Sequence, residues 1–300
     1  MGRHARSKNA MSGGHFAGQG PDPYSRASAG DYHDRLAKKR RRGFALRTLL
    51  IALVVLLAGS GVAVAAWVGN IQSRMNNSEV VTTELREALT ERDAPNDPYY
   101  VLLLGTDGRP GETQYRSDTI ILARIDPQQK VATLLSIPRD TMVTWKGSTM
   151  KINGVHAYDG AAGMVQIVSD LCHVEISHYA EVNFDGLSVI PDSLGVLTVD
   201  VDMDIKDTIP FDDVTELQKG EQVLNGAQAL FYCRCRYFAD GDYTRMRHQR
   251  TFVKSLIAQV LSTTDPTKLV GVVNSCADMV ITDMSVTEIA SLANEMRGMN

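Results

Sequence analysis

Cysteine is scarce: the 300 residues hold only Cys172, Cys233, Cys235 and Cys276. Four cysteines do not make a disulfide-dense scaffold, and their spacing does not match a zinc site. Cys233 and Cys235 would project to the same face of a strand and make a poor pair with each other. A Cys172–Cys276 bridge or buried thiols are the remaining readings. No internal repeat is present, and one globular domain of about 200 residues fits the length. Basic charge is missing where a nucleic-acid-binding body would need it. Residues 1–47 carry 11 Lys/Arg against 3 Asp/Glu, whereas the remainder carries 20 against 32, so a head of net +8 precedes a body of net −12. Phosphate backbones require a positive field, so no nucleic acid is expected as a partner. The head has no helix-turn-helix pattern.

Charge is absent altogether from Thr48–Val68, TLLIALVVLLAGSGVAVAAWV. Those 21 residues are long enough to cross a hydrocarbon core of about 30 Å as a helix. Lys38, Lys39, Arg40, Arg41, Arg42 and Arg47 precede the stretch, and Trp67 stands at its far edge. Positive charge stays on the cytoplasmic side, which puts the N-terminus inside and the body outside the cell membrane, with a single pass through the lipid bilayer. The AVAA tail of the stretch resembles a signal-peptide cleavage site. Its start some 47 residues in, and an apolar run longer than a usual signal core, favour an uncleaved anchor. Residues 1–47 then form a disordered basic cytoplasmic tail. Residues 69–97 form an extracytoplasmic stalk, polar with helical spacing after Ser78 and bounded by Pro95 and Pro98.

From residue 98 to 300 the pattern is α/β. Strands are predicted at Tyr99–Leu104, Thr119–Asp126 and Lys130–Ile137, the last two joined as a hairpin through Pro-Gln-Gln. A helix over Gly160–Cys172 follows, then strand Tyr179–Phe184, a short helix after Asp185 and strand Thr198–Met203. Helices are predicted at Asn225–Phe231 and Tyr243–Ser262, the latter with Phe252, Leu256, Ile257 and Val260 at helical spacing. Val280–Ile281 reads as a late strand and Val286–Met296 as a last helix.

Charged residues gather at the ends of these elements. Leu102–Thr119, LLLGTDGRPGETQYRSDT, places Asp107, Arg109, Arg116 and Asp118 around one tight loop between two apolar strands. Carboxylates are hard ligands for a divalent cation, and arginines fork onto phosphate oxygens. Taken alone, the loop is either a metal-bound phosphate-ester site or a solvated turn with ion pairs. Strand Lys130–Ile137 runs into Arg139 and Asp140, and Lys151, Asn153, His156 and Tyr158 follow. Later come Arg234, Arg236, Asp242, Arg245, Arg247 and Gln249. Arg234 and Arg236 share a face if extended, and Arg245 and Gln249 share a helical face. The long helix starts near Asp242, and its first amides favour an anion. Each arginine taken singly is a surface charge. Together, in an acidic domain, they describe a focused cleft for an anionic ligand.

GTDGR (105–109), RSDT (116–119), SIPRDT (136–141), KIN (151–153), HAY (156–158) and LNGAQALFYCRCR (224–236), followed by Asp242, Arg245 and Gln249, resemble the LytR-CpsA-Psr (LCP) family in order over nearly all of 99–260. The resemblance implies a three-layer α/β/α domain with a central mixed sheet enclosing an apolar tunnel, preceded by a single transmembrane helix. It implies a membrane-anchored transferase that moves a glycopolymer, such as teichoic acid, capsule or arabinogalactan, from a polyprenyl-pyrophosphate carrier to peptidoglycan through a phosphodiester link. Mg²⁺ or Mn²⁺ is the implied cofactor. A polyprenyl-pyrophosphate pyrophosphatase and a non-catalytic envelope regulator are the alternatives. By motif, Asp107 and Asp118 would hold the metal, and Arg116, Arg139, Arg234, Arg236 and Arg245 would grip the pyrophosphate. Lys151 would support the head group, and Asp242 and Gln249 would order the arginines or the metal. Asp140 or Asp118 would be the general base. Arg109 would guard the entrance or face solvent. The chain departs from the family at Gly160-Ala161-Ala162-Gly163, where paired glycines and a proline are usual, and at Val196 after Gly195. No accessory domain is expected after the catalytic one.

The anchor reading has a direct test. Deleting residues 1–68 should move the protein from the membrane fraction to the soluble fraction; retention of the truncated chain on membranes would exclude it.

Overall fold

The computed structural model describes residues 60–297 except 93, 95, 107–114, 184, 185, 187, 196 and 212. Residues 60–75 are helical (α1), and α2 is Thr83–Ala88. Strands β1 (Tyr99–Thr106), β2 (Ser117–Asp126) and β3 (Val131–Ser136) follow. A small hairpin, β4 (Met142–Trp145) and β5 (Ser148–Lys151), leads into α3 (Ile152–Cys172). Next come β6 (Ile176–Asn183), α4 (Val189–Leu194) and β7 (Leu197–Val201). The chain continues through β8 (Ile205–Phe211), β9 (Val214–Leu217), β10 (Gly220–Leu224), α5 (Gly226–Arg234) and α6 (Asp242–Ser262). It closes with α7 (Pro266–Met279), β11 (Val280–Thr282) and α8 (Val286–Glu295).

The central sheet has the order β11-β6-β1-β2-β3. β1 runs parallel to β6 and antiparallel to β2, so the sheet is mixed. β2 is buried along most of its length, as befits a strand covered on both faces, while β3 exposes alternate residues at the edge. Leu102, Leu104, Ile120 and Leu122 point to the face covered by α3, where Val155, Met164 and Val168 complete one core. The other face carries Val101, Ala123 and the half-buried Leu103, Ile125 and Leu134, with Leu292 of α8 against them. Helix α6 reaches this side, where Arg250 Nη1 donates to Ser136 Oγ at 2.7 Å. A second core joins α4, α5, α6 and β7 through Leu194, Val199, Phe231 and Phe252.

Local chemistry explains the element ends near the site. Asn225 and Gln228 form a reciprocal capping box that starts α5. Gly226 lies so close to the Ser188 carbonyl that a Cβ would overlap it, so only glycine lets α5 begin there. Gly241 has φ +62°, which turns the chain from α5 into α6.

The expected helix at Gly160–Cys172 begins earlier, at Ile152, with a break in helical geometry at Asp159 and Gly160. The expected Asn225–Phe231 helix runs on to Arg234, so Arg234 and Arg236 do not share a strand face. Cys233 is likewise helical. All four cysteines are free, and Cys172 and Cys276 pack against different cores. Burial pushes the Cys276 thiol up to about 11. Helix α7 was not expected, although Asp265 at its N-cap and Pro266 at its first position mark its start.

Residues 66–300 form one compact unit. Within it, the segment expected as a stalk packs against the body. Ile71 and Met75 bury against Ala277, Trp67 Nε1 donates to Asn274 at 3.3 Å, and Leu85 of α2 is fully buried in the α3-side core. The segment is polar on one side only, and its apolar residues lie at helical spacing. No helix among the described residues is long and apolar enough to cross a membrane. Most of the expected span Thr48–Val68 lies outside those residues, and its described end is helical with Val62 and Val64 exposed.

Leu85→Ala should destabilise the folded domain by about 2–5 kcal/mol, the range for deleting a buried leucine. The urea midpoint measures this, and an unchanged midpoint would return the segment to the status of a loose stalk.

Candidate active site

Asp118 stands near the start of β2, next to the irregularity in β1 pairing between Gly105 and Thr106. Its Oδ1 accepts from Arg139 Nη1 at 2.7 Å and its Oδ2 from Arg236 Nη2 at 2.9 Å. Its main-chain oxygen accepts from Arg245 Nη2 at 3.1 Å. Three guanidiniums from three parts of the chain therefore meet on one residue.

Each arrives for a local reason. Arg139 lies in the turn after β3, closed by Thr141 N and Oγ1 on the Pro138 carbonyl. Its own carbonyl accepts from Asn153 N at the start of α3. Arg236 follows the end of α5, where Gln249 Nε2 donates to the Cys233 carbonyl at 3.2 Å and so ties that end to α6. Arg245 lies on the first turn of α6 and is buried, with Asp242 2.8 Å away as its counter-charge. Asp242 also lies 3.7 Å from Arg139 Nε.

Burial would raise the Asp118 pKa, but the hydrogen bond and charge of Arg139, together with Arg236 and Arg245, outweigh it and hold the carboxyl below its ordinary value. Burial lowers the Arg245 pKa, opposed by Asp242. Asp140, at the exposed rim, is held low first by its hydrogen bond to Lys151 at 2.7 Å. Both carboxylates named as candidate bases are thus stabilised in the ionised form, which makes them weak proton acceptors.

Two facts mark the cluster as a receptor for an anion. Three guanidiniums face two carboxylates, leaving positive charge in excess. The Nε groups of Arg139 and Arg245 are also buried without a hydrogen-bond partner among the described residues, and such orphaned donors are costly unless something accepts from them.

Of the residues named from sequence, Asp118, Arg139, Arg236, Asp242 and Arg245 converge directly, and Gln249 supports them. Asp140 and Lys151 pair with each other at the rim. Arg116 is exposed two residues before Asp118, and Arg234 is half-buried at the end of α5. Asp107 and Arg109 lie outside the described residues. Among the described residues, no three His, Cys, Asp or Glu groups converge as a metal site. The hard-oxygen donors in the described cluster are the carboxylates of Asp118 and Asp242.

A buried polar network was not foreseen. Glu181 on β6 accepts from Thr106 Oγ1 at 3.0 Å and Tyr179 OH at 2.6 Å, and lies 3.4 Å from His156 Nε2. Burial would raise its pKa, but His156 and the two hydroxyls hold it below the ordinary value. A lone carboxylate within the apolar YAEVNF run was the one available signal.

This fold is that of a known class. The LytR_cpsA_psr family model matches residues 65–300, and the chain belongs to that family. A polyisoprenyl-teichoic acid–peptidoglycan teichoic acid transferase, TagU, of Enterococcus faecalis is 32% identical over 67% of this chain and 66% of its own length. The protein of the same name from Halalkalibacterium halodurans is 28% identical over 84% of this chain and 86% of its own. The crystal structure of Bacillus subtilis TagV superposes with a TM-score of 0.61 at 30% identity, covering 68% of this chain and 81% of that one.

The charge pairing predicts an acid response. Because the folded Asp118 pKa lies below its unfolded value, its contribution to stability is present above pH about 4 and lost as pH falls through the folded value. Asp118→Asn should flatten this part of the acid-unfolding curve; an unchanged acid limb would show that the guanidiniums do not hold the carboxylate.

Proposed function

We propose that the protein is a membrane-anchored phosphotransferase that moves a glycopolymer from a polyprenyl-pyrophosphate carrier to a hydroxyl of peptidoglycan. The observation that carries this reading is the convergence of Arg139, Arg236 and Arg245 on Asp118, with two buried guanidinium donors left over. The names of the teichoic acid transferases among its relatives support the polymer and the acceptor.

In the reaction, the acceptor oxygen bonds to the phosphorus nearer the polymer. The bond from that phosphorus to the bridging oxygen breaks, polyprenyl phosphate leaves, and the hydroxyl proton is released. Charge develops on both phosphates, and fixed guanidiniums stabilise it without reorganising. Arg139 and Arg245 are held by carboxylates and by burial, so they are oriented before the substrate arrives. Arg236, half-exposed, would close on the outer oxygens, a role also proposed for Arg116 and Arg234. Asp118 and Asp107 would hold Mg²⁺ or Mn²⁺, with Asp118 shared between the ion and its arginines, and the ion would supply further charge neutralisation.

The carrier's tail needs an apolar bed. Leu103, Ile125 and Leu134 line one face of the sheet half-buried, and α8 covers them with Leu292 while fully burying none of its own residues. That apolar face supports a bed for the polyprenyl chain. Thr48–Val68 would keep the domain beside the bilayer that holds the carrier, with the tail of 1–47 in the cytoplasm.

Arg236→Ala should lower transfer by at least about 100-fold, the scale for removing one preorganised donor to a transition-state charge, without shifting the melting temperature. A labelled polyprenyl-pyrophosphate donor measures it: label on glycan identifies the transferase, whereas free phosphate would identify a pyrophosphatase. Full activity in Arg236→Ala would sink the site.

A further inference from the structure

The chain enters the folded body along α1, and the partners of α1 fix the side from which it comes. Trp67 Nε1 donates to Asn274 Oδ1 at 3.3 Å. Seven residues later, Arg74 Nε donates to Asp278 Oδ1 at 2.9 Å and Arg74 Nη2 to the Asn274 carbonyl at 3.1 Å. Later residues of α1 thus meet later residues of α7, so the two helices run in the same direction. Gln72 Oε1 accepts from Val286 N at 2.7 Å, and Asn76 Nδ2 donates to the Asp283 carbonyl at 3.4 Å. Ile71 and Met75 are buried on the same side. Gly69 is held between the Trp67 and Ile71 contacts, so the joint is stiff.

Because the helices are parallel, the end of α7 that lies toward the entering chain is its N-terminal end. Val273 and Ala277 form the stripe of α7 that packs with Trp67 and Ile71. The stripe continues one turn further to Val270, which is 45% exposed, and to the exposed Thr267. From Asn274 back to Val270, four residues of helix reach about 6 Å past the level of the Trp67 contact. Trp67 stands at the edge of the uncharged stretch Thr48–Val68, and a tryptophan at such an edge marks the headgroup layer of a bilayer. An apolar residue one turn beyond it falls within the roughly 5–10 Å over which an interfacial helix buries its apolar face. The surrounding groups agree with that level. Lys268 is exposed beside Val270, with the neutral Ser262 and Thr264 at the preceding helix end. The Asp265 carboxylate is turned back onto the Thr267 amide at 2.9 Å. An exposed valine alone points to nothing; one that extends a covered stripe toward the bilayer does.

We propose that the first turn of α7, Thr267–Val270, is a second point of membrane contact, with Val270 in the boundary between headgroups and acyl chains and Lys268 on phospholipid phosphates. The inference rests on the anchor in the proposed function for the position of the bilayer, and it adds an orientation. With α1 pinned to α7 and α7 seated on lipid, the domain stands in one pose instead of swinging on a tether. The opposite end of α7 supplies the internal reference. Asp278 lies about 12 Å along the helix from Val270, and it lines a cavity together with Tyr158, which is 74% exposed. Tyr158 therefore marks the side turned away from the lipid.

The test uses the full chain reconstituted in vesicles of phosphatidylcholine and phosphatidylglycerol. Photoreactive p-benzoylphenylalanine replaces Thr267, Val270 or Tyr158 singly; all three are exposed, so the fold tolerates it. Flotation reads insertion, and mass spectrometry after illumination reads phospholipid joined to the protein. Positions 267 and 270 should each give about tenfold more lipid adduct than position 158, the contrast between a residue inside the interfacial layer and one outside it. A chain that floats with the vesicles but gives no adduct at 267 and 270, or as much at 158, overturns the contact and leaves the anchor standing. A chain that does not float overturns both. Adduct at 267 and 270 in a preparation that transfers no glycopolymer supports the contact and counts against the transferase reading alone.

Discussion

Three guanidiniums held against Asp118 organise this molecule, and like charges do not gather without a cause. Asp118 and Asp242 are the counter-charges that make the assembly stable, and burial of Arg245 strengthens each attraction by excluding water. The neighbouring architecture serves the same arrangement. The Pro138–Thr141 turn aims Arg139, the Gly241 junction folds α6 back against α5, and Gln249 ties the two helices at the Cys233 carbonyl. What results is an excess of oriented donors in a domain whose overall charge is negative, so the field is local and suits an anion.

The sheet separates two environments. On one face, half-buried aliphatic side chains under α8 offer an apolar bed. On the other, past the α3 core, lies an acidic and aromatic cavity whose wall includes Glu181 and His156. The arginine cluster stands near the start of β2, where Asp118 lies.

Much of the central sheet was legible in the chain. Strands β1, β2 and β3 announced themselves as apolar runs ended by Gly105, by the Pro-Gln-Gln turn and by Pro138, and α6 by its spacing and its start at Asp242. The polar segment before residue 98 misled because Ile71, Met75, Val81 and Leu85 are few, yet at helical spacing they suffice to seat α1 and α2. Helix α7 was missed because its apolar residues lie among Ser, Asn and Gly, although the Asp265-Pro266 pair at its start is a helix signal. The Arg234–Arg236 pairing was misread because the helix outran the strand-like CRC pattern.

From the sequence alone followed the family, the mixed α/β class and the roster of charged residues at element ends, since these depend on local pattern and on residue type. Which charges meet depended on long-range geometry. Asp118 and Arg236 are 118 positions apart, and no periodicity encodes their contact. The same holds for Glu181 and His156, whose pairing arises only when α3 is laid across β6. Local preference determined the elements; the burial of their shared apolar faces determined which of their ends would stand together, and so placed the site.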